Sequence, residues 1–284
     1  MWQAVRERPG AVRSDLAKVT ICLPVLNGVD FVEEALQSIA EQTCPDIHVL
    51  ASNNASTDRT GEILERWSDQ LAMTVLHQPE TVPMQQHFNL LLDAVRTDYL
   101  MVLCHDDYLA APDAIELAVG IAEEHPDVSA IYCDLAYVSR RRRILAQRRF
   151  GREGRFEADP VGRNSLRTAR NLFGIPLLMR RSVLAGARYD PQFHYLMDVD
   201  LSWTLSRARP AWHLPRVLIA NRYRRQNATW TLLSGATEEY ARLAAKYRID
   251  MTPADRTRLA VTNWIVARKK QVFGLYERLV TAIG

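Results

Sequence analysis

The stretch KVTICLPVLNGVDFVEEALQSIAEQ, residues 18–42, joins an apolar run to a short polar turn and then to a helical pattern. Its first nine residues are mostly apolar and rich in β-branched side chains, which is typical of a buried strand. In its second part the apolar residues recur three and four positions apart, and Asp30 and Glu33 have the spacing of a capping box. The stretch therefore predicts a β-strand followed by an amphipathic helix.

The same order of strand and helix repeats as far as Asp134. Further strands are predicted in four apolar runs, which are DIHVLAS (46–52), LAMTVLH (71–77), DYLMVLC (98–104) and VSAIYCD (128–134). Helices are predicted between them in STDRTGEILERW (56–67), where Ser56 or Thr57 can cap, in QQHFNLLLDAV (85–95) and in DAIELAVGIAEEH (113–125). Repeated β-α units predict an α/β protein with a mostly parallel central sheet flanked by helices.

The regular alternation ends after Asp134. A helix is predicted in DVDLSWTLSRA (198–208) and a strand in RVLIANRY (216–223), and two long helices in EEYARLAAKYRI (238–249) and over 255–284. We expect the last helix to form a core or oligomer contact, and a helix lying on a membrane surface is the alternative. The predicted organisation is an N-terminal tail at 1–17, an α/β half at 18–134, a second half of the same domain at 135–230 and a C-terminal helical extension at 231–284.

The composition is that of an ordinary folded protein, with 284 residues, 48% hydrophobic content, 24% charged content and a formal net charge of +3. That charge is too small to argue for a nucleic-acid partner, and we expect none. Eight arginines lie between Arg140 and Arg155, and we interpret them as a solvated basic face. Four cysteines without CxxC spacing indicate a reducing compartment and no structural zinc.

The sequence shows neither a membrane-spanning pattern nor a secretion signal. No apolar stretch approaches the roughly 18 residues that a membrane span needs. The N-terminus MWQAVRERPGAVRSD has charges but no apolar core of the signal-peptide kind. We therefore expect a cytoplasmic protein, with the inner face of the membrane as the place for any peripheral contact.

Polar loops follow three of the predicted strands. They are PVLNG (24–28), SNNASTD (52–58) and CHDDY (104–108). In an open α/β sheet, ligands bind outside the carboxyl ends of the strands, so these loops predict a ligand site at one edge of the sheet. A plain chain-reversing turn remains the alternative for the Asn-rich loop, because Asn, Ser and Asp bond their own backbone.

Two adjacent carboxylates, Asp106 and Asp107, occupy the third of these loops. Such neighbours repel each other unless solvent or a cation relieves the repulsion. Oxygen ligands suit Mg²⁺ or Mn²⁺ held jointly with substrate phosphates, and that is the predicted metal site. The alternative is that both residues cap the following helix, although Pro112 and Asp113 already provide a helix start.

Four motifs in order resemble glycosyltransferase family 2, the inverting enzymes with the GT-A fold. They are ICLPVLNG, ASNNASTD, HFNLLLDAVRTDYLMVLCHDD and YDPQFHYLMDVDLSWTLS, and the resemblance covers about residues 18 to 225. It implies a GT-A, Rossmann-like fold in which 18–134 binds a nucleotide sugar and 135–230 faces the acceptor. It also implies that Pro24, Leu26 and Asn27 line the nucleotide pocket and that Asn54 faces the base.

The resemblance gives roles to the carboxylates as well. It implies that Asp106 and Asp107 are the metal and ribose carboxylates and that Asp198 is the catalytic base. Asp-x-Asp before LSWTLS also suits a helix N-terminus, and capping fits Asp200 better than Asp198. Asn89 matches an asparagine to which we give a structural role.

This sequence departs from the family pattern at four positions. Asn53 and Asn54 stand where many members have paired aspartates, and Cys104 stands where the longer metal motif begins with an acid. Gln226 occupies the place of a metal-side histidine. These departures predict weak metal affinity, with Arg224 or Arg225 available to neutralise a diphosphate.

The resemblance implies an inverting glycosyltransferase that moves a sugar from a nucleoside diphosphate sugar, UDP or dTDP, to an acceptor hydroxyl or amine with Mn²⁺ or Mg²⁺. The acceptor class stays open between a glycan, a lipid-linked acceptor and a small molecule. A non-catalytic nucleotide-sugar binding module is the first alternative. A nucleotidyltransferase is the second, although the loop after the first strand lacks the Gly-rich, basic character which that class requires.

Overall fold

The computed structural model describes residues 17–222, 235–266 and 268. Its strands are β1 (Val19–Val25), β2 (Ile47–Asn53), β3 (Met73–His77), β4 (Tyr99–Val102), β5 (Tyr108–Leu109), β6 (Ala130–Val138), β7 (Ile144–Arg148), β8 (Gly154–Phe156), β9 (Pro176–Arg180) and β10 (Ala211–Arg222). Its helices are α1 (Val32–Ala40), α2 (Thr60–Ser68), α3 (Met84–Ala94), α4 (Ala114–Glu124), α5 (Ala158–Thr168), α6 (Met197–Ala208), α7 (Ala236–Lys246) and α8 (253–266), with a 3₁₀ turn at Arg181–Gly186.

The strands form one mixed sheet in the order β3-β2-β1-β4-β9-β6-β10-β5, with β7 beside β6 and β8 beside β10. The six strands predicted from sequence all run parallel to one another, which follows from the pairings β1–β2, β2–β3, β1–β4 and β6–β10 and from the two antiparallel neighbours of β9. The four short strands that the sequence pattern did not predict, β5, β7, β8 and β9, are antiparallel to their partners. The α/β class is therefore confirmed, with antiparallel additions.

Core residues lie on both faces of this sheet, because side chains alternate along each strand. Ile21 and Leu23 pack with α1, α2 and α4, whereas Cys22 packs with α3, α5, α6 and α7. Gly162 in α5 allows close packing on α6, since an added Cβ would lie 2.2 Å from the Trp203 ring. This close contact fixes α6, which carries Asp198.

The predicted helix caps are wrong, because the capping side chains have other partners. Phe31 is the N-cap of α1 and Arg59 that of α2, and neither cap makes a side-chain hydrogen bond. Asp30 instead pairs with Arg140, and Glu33 pairs with Arg66. Ser56 and Thr57 bond Asn27, which joins two loops rather than starting a helix.

The C-terminal helices are present as far as they are described. In α7, Tyr240 and Leu243 are buried in the core. In α8, Leu259 is buried, while Val261 and Trp264 are 51% and 61% exposed. No helix within the described ranges is both long and apolar enough to cross a membrane. The domain bounds at 17, 134 and 230 stay predictions, and residues 1–16, 223–234, 267 and 269–284 lie outside the described residues.

Candidate active site

The loops that follow β1 and β2 are joined by hydrogen bonds. The Asn54 amide donates to the Val25 carbonyl at 2.8 Å. The Asn27 amide donates to Ser56 Oγ at 2.9 Å, and the Thr57 amide donates to Asn27 Oδ1 at 2.9 Å. The structure therefore brings the PVLNG and SNNASTD loops together at the carboxyl edge of the sheet, as the sequence predicted.

The SNNASTD loop needs small polar residues because its backbone is tightly folded. Ala55 in this loop has φ of 56°, and Asn27 in the neighbouring PVLNG loop has φ of 49°. Both values lie in the left-handed region that bulky side chains avoid. Asn53 Oδ1 accepts the Ser56 amide, three residues later, at 2.9 Å. The loop is thus held by its own side chains.

Asn54, predicted to face a base, is engaged with the protein. Its Nδ2 donates to the Val82 carbonyl at 2.9 Å, and its Oδ1 accepts the Val82 amide at 2.9 Å. The residue is only 3% exposed. Contact with a base would require these bonds to be exchanged or the remaining lone pair of Oδ1 to be used, so the base contact stays a prediction.

The residues expected at the nucleotide pocket differ in exposure. Pro24 is buried in β1. The pairing of β1 with β4 ends at Cys22, so the missing N–H of Pro24 interrupts no hydrogen bond between these two strands. Leu26 is 41% exposed, and Asn27 is exposed beside it. Leu26 therefore offers an apolar surface at the sheet edge on which a flat ring can pack.

The two carboxylates of the third loop have different environments. Asp107 is buried, and its Oδ1 accepts the Arg222 amide at 2.9 Å while its Oδ2 accepts Asn221 Nδ2 at 2.8 Å. Burial first, and the negative charge of Asp106 second, raise the pKa of Asp107 well above its usual range. Asp106 is partly exposed.

Arg222 at the end of β10 connects this loop to its surroundings. Its guanidinium is buried and donates to the carbonyls of Asp106, at 3.0 Å, and of Arg140, at 2.7 Å. It also pairs with Glu34 and lies 4.7 Å from the centre of the Phe31 ring. Sequence analysis missed this residue because these contacts join distant segments of the chain.

Asp198 and Asp200 lie in the first turn of α6. Asp200 is fully buried, with Lys246 Nζ 2.8 Å from its Oδ2 and the Tyr247 hydroxyl 3.0 Å from its Oδ1. Asp198 is partly exposed and accepts no hydrogen bond from any residue of the described ranges. Burial raises the pKa of Asp198 to about 6.

Glu239 in α7 holds the chain that leads into α6. Its buried carboxylate accepts three successive backbone N–H groups, those of His194, Tyr195 and Leu196, at 2.9 to 3.1 Å. These groups precede α6, where a helix leaves N–H donors without partners of its own. The arrangement fixes the position of Asp198, and the sequence indicated Glu239 only as part of a helix.

One pocket brings Asp198 and Asp107 together with Cys104 and Tyr189. The proximity is also electrostatic, because Asp107, Asp106 and Asp198 all add to the rise in the pKa of the Cys104 thiol that burial causes. Most of the remaining lining is apolar, as at Phe88 and Leu201. The two carboxylates predicted from separate motifs therefore lie at one site.

Few side chains of the described residues are placed to bind a metal ion. In the described part of the chain no group of three or more His, Cys, Asp and Glu residues could hold an ion. Mg²⁺ is often held by only one or two carboxylates together with substrate phosphates. The pair Asp106 and Asp107 fits that shared arrangement, since burial and then the charge of Asp106 raise the pKa of Asp107, and a cation would relieve the repulsion between the two. Gln226, Arg224 and Arg225 lie outside the described residues.

Comparison with known proteins shows the family of the chain. The model of Glycosyl transferase family 2 matches residues 20–185, which is more than half of the chain. An uncharacterized glycosyltransferase, RT0329 of Rickettsia typhi, is 25% identical over 232 residues, covering 79% of this chain and 70% of that protein. Abequosyltransferase RfbV of Salmonella typhimurium is 27% identical over 114 residues, covering 39% of this chain and 34% of that protein. The chain spans well under half of several such relatives, for example 13% of the y4gI protein of Sinorhizobium fredii.

Solved structures share the fold. Residues 1–349 of Staphylococcus aureus TarS, in complex with UDP-GlcNAc, align with a TM-score of 0.65 at 16% identity, over 86% of this chain and 71% of that chain. The mannosyltransferase PcManGT of Pyrobaculum calidifontis, in complex with GDP-Man and Mn²⁺, aligns with a TM-score of 0.57 at 18% identity, over 93% of this chain and 75% of that chain. The GT-A fold implied by the sequence motifs is confirmed, and by its family match the chain belongs to glycosyltransferase family 2.

Proposed function

We propose that the chain is an inverting glycosyltransferase that moves a sugar from a nucleoside diphosphate sugar to an acceptor hydroxyl or amine. The observation that carries the proposal is Asp198, a carboxylate with a pKa raised to about 6 that lines the same pocket as Asp107. A general base works best when its pKa lies near the operating pH. Asp198 is therefore suited to accept a proton at neutral pH.

In this mechanism the acceptor oxygen or nitrogen attacks the anomeric carbon from the side opposite to the diphosphate. The bond from the anomeric carbon to the phosphate oxygen breaks, the nucleoside diphosphate leaves, and the configuration inverts. Asp198 takes the proton of the acceptor as the new bond forms. Glu239 and the Asp200–Lys246 pair hold the helix that positions this carboxylate.

Asp106 and Asp107 would hold the cation, which we propose to be Mn²⁺ or Mg²⁺. When bound, such an ion offsets the negative charge that develops on a leaving diphosphate. Of the two carboxylates Asp106 is the more accessible, and Asp107 retains one lone pair on each oxygen beyond its bonds to Arg222 and Asn221. That PcManGT is in complex with Mn²⁺ supports the same choice of ion for this chain.

A nucleotide-sugar donor is supported by two of the solved structures, one of which is in complex with UDP-GlcNAc and the other with GDP-Man. We propose UDP or dTDP as the carrier, with Leu26 and Asn27 beside the nucleotide. The acceptor is a glycan, a lipid-linked molecule or a small molecule. We propose a cytoplasmic location, and the C-terminal helices are the proposed contact for a homo-oligomer.

The alternative of a non-catalytic binding module is favoured by one observation, the engagement of both Asn54 and Asp107 with protein groups. Incubation with UDP-sugars and dTDP-sugars, followed by assay of released nucleoside diphosphate, separates the two functions. A transferase releases nucleoside diphosphate above background even when water is the only acceptor. The replacement Asp198→Asn lowers that release. A binding module shifts its melting temperature with ligand but releases no more than background.

A further inference from the structure

An arginine-rich hairpin projects from the sheet beside the candidate site. We define this arginine hairpin as residues 138–149, the end of β6, the turn and β7. One edge of β7 pairs with β6, and the other edge pairs with no strand of the described residues. Ile144 is 63% exposed and Leu145 is 42% exposed at the start of β7. Two neighbouring aliphatic side chains thus face solvent on an otherwise basic element.

The charge around this hairpin is strongly positive. Residues 140–155 contain eight arginines and a single acid, Glu153. Arg140 pairs with Asp30 and Arg155 pairs with Asp127. Arg141, Arg143, Arg149 and Arg152 are exposed and form no ion pair with the described acids. These four guanidinium groups are available to an external anion.

We propose that the arginine hairpin docks on the surface of an anionic lipid bilayer. The exposed arginines bind lipid phosphates, and Ile144 and Leu145 enter the boundary between head groups and acyl chains. Basic residues beside aliphatic ones are what bilayer-surface elements combine. A dissolved polyanion would explain the arginines but would leave the aliphatic pair in water. Charges also protect an exposed strand edge from pairing with another chain, yet that purpose would not place Ile144 and Leu145 there.

The hairpin is fixed to the candidate site by the buried guanidinium of Arg222. This group donates to the Arg140 carbonyl at 2.7 Å and to the Asp106 carbonyl at 3.0 Å. Arg142 also lies 4.5 Å from the centre of the Tyr108 ring, next to Asp107. Docking of the hairpin therefore places the loop of Asp106 and Asp107 at the lipid surface. The docking itself does not depend on the proposed transferase activity.

The experiment is co-flotation of the whole chain with vesicles of phosphatidylcholine alone or of phosphatidylcholine with phosphatidylglycerol. The parent should bind only the anionic vesicles, and added salt should weaken that binding, because surface charges are screened. Arg141→Glu/Arg143→Glu should lower the partition coefficient by at least about 25-fold, at about fivefold for each basic residue. Ile144→Ser/Leu145→Ser should lower it about tenfold or more at constant charge.

The matched control is Arg163→Glu/Arg242→Glu, which makes the same charge change at exposed positions on α5 and α7. This control should bind the anionic vesicles nearly as well as the parent protein does. Circular dichroism should show that all variants are folded. Equal losses in the control and in the arginine variant would overturn the proposal. Full binding of the anionic vesicles by the Ile144→Ser/Leu145→Ser protein would also overturn it, since that outcome indicates a general polyanion surface.

Discussion

Asp200 and Lys246 form an ion pair with 2.8 Å between Oδ2 and Nζ, and this pair joins α6 to α7. Asp198, two residues earlier in the same turn, has no such partner among the residues that the structure describes. The two carboxylates of one short sequence therefore differ in role. Asp200 stabilises the helix pair, while Asp198 is left facing the pocket.

The replacement Asp198→Asn tests the proposed general base. It keeps the size of the side chain but removes its basicity, and a positioned base typically contributes about 10²- to 10⁴-fold in rate. We expect the rate of sugar transfer, measured as nucleoside diphosphate released in the presence of an acceptor, to fall by about that factor, while nucleotide affinity, measured by calorimetry, is retained. Asp200→Asn is the control and should lose more stability but less turnover. If Asp198→Asn turns over at the rate of the parent protein, another residue is the general base.

The same replacement should stabilise the fold above neutral pH. The pKa of Asp198 is raised to about 6 by burial, so its ionisation opposes folding, and this penalty grows as the pH rises from about 4 to above 6. At pH 8 we expect the free energy of unfolding of Asp198→Asn to exceed that of the parent by up to about 2 kcal/mol, a figure reduced for partial exposure. Urea unfolding at pH 4 should show no such gain. An equal gain at both pH values would indicate a packing effect instead.

The cation site is tested by nucleotide binding with Mn²⁺ or with a chelator. Calorimetry of UDP binding should show metal-enhanced affinity in the parent and none in Asp106→Asn or Asp107→Asn. Asp107→Asn should also melt lower, because an amide has one acceptor oxygen and would turn its own NH₂ group toward either the Arg222 amide or Asn221 Nδ2. If the parent binds UDP equally well in chelator, basic residues carry the diphosphate and the metal assignment is wrong.

The replacement Asn54→Asp tests the loop after β2. A carboxylate can still accept the Val82 amide but cannot donate to the Val82 carbonyl, so the free energy of unfolding should fall by about 1 to 3 kcal/mol. We also expect the ranking among UDP, dTDP and GDP to change in a thermal-shift panel. Asn53→Asp is the matched control and should lose less, since it keeps the Ser56 bond and faces His77. If the ranking is unchanged in Asn54→Asp, the side chain of Asn54 holds the loop and does not contact the base.

Sequence reasoning succeeded where a long apolar run defines an element. All six strands predicted in this way are present, and two of their end loops meet as expected. It missed β9, the five residues PLLMR, because this strand lies after the regular alternation of strands and helices has ended and pairs antiparallel with β4 and β6. It also missed β5, which has only two residues.

The site was predicted in its residue types but not in its partners. The sequence marked Asp107 and Asn54, yet their partners Arg222 and Val82 lie 115 and 28 residues away. Glu239 lies 43 residues beyond Leu196, whose amide it accepts. Local patterns report spacing within one element, whereas these contacts depend on how the sheet brings distant elements together.

The place of β6 in the sheet has a consequence for synthesis on the ribosome. The neighbours of β6 are β9 and β10, which follow it in the chain at 176–180 and 211–222. The parallel set β3-β2-β1-β4 is complete by residue 102, but β6 leaves the ribosome with only the β7 hairpin to pair with. At about 5 to 20 residues per second, the 38 residues from 138 to 176 take about 2 to 8 seconds. During that interval AIYCDLAYV is the exposed apolar strand that a chaperone would bind on the nascent chain.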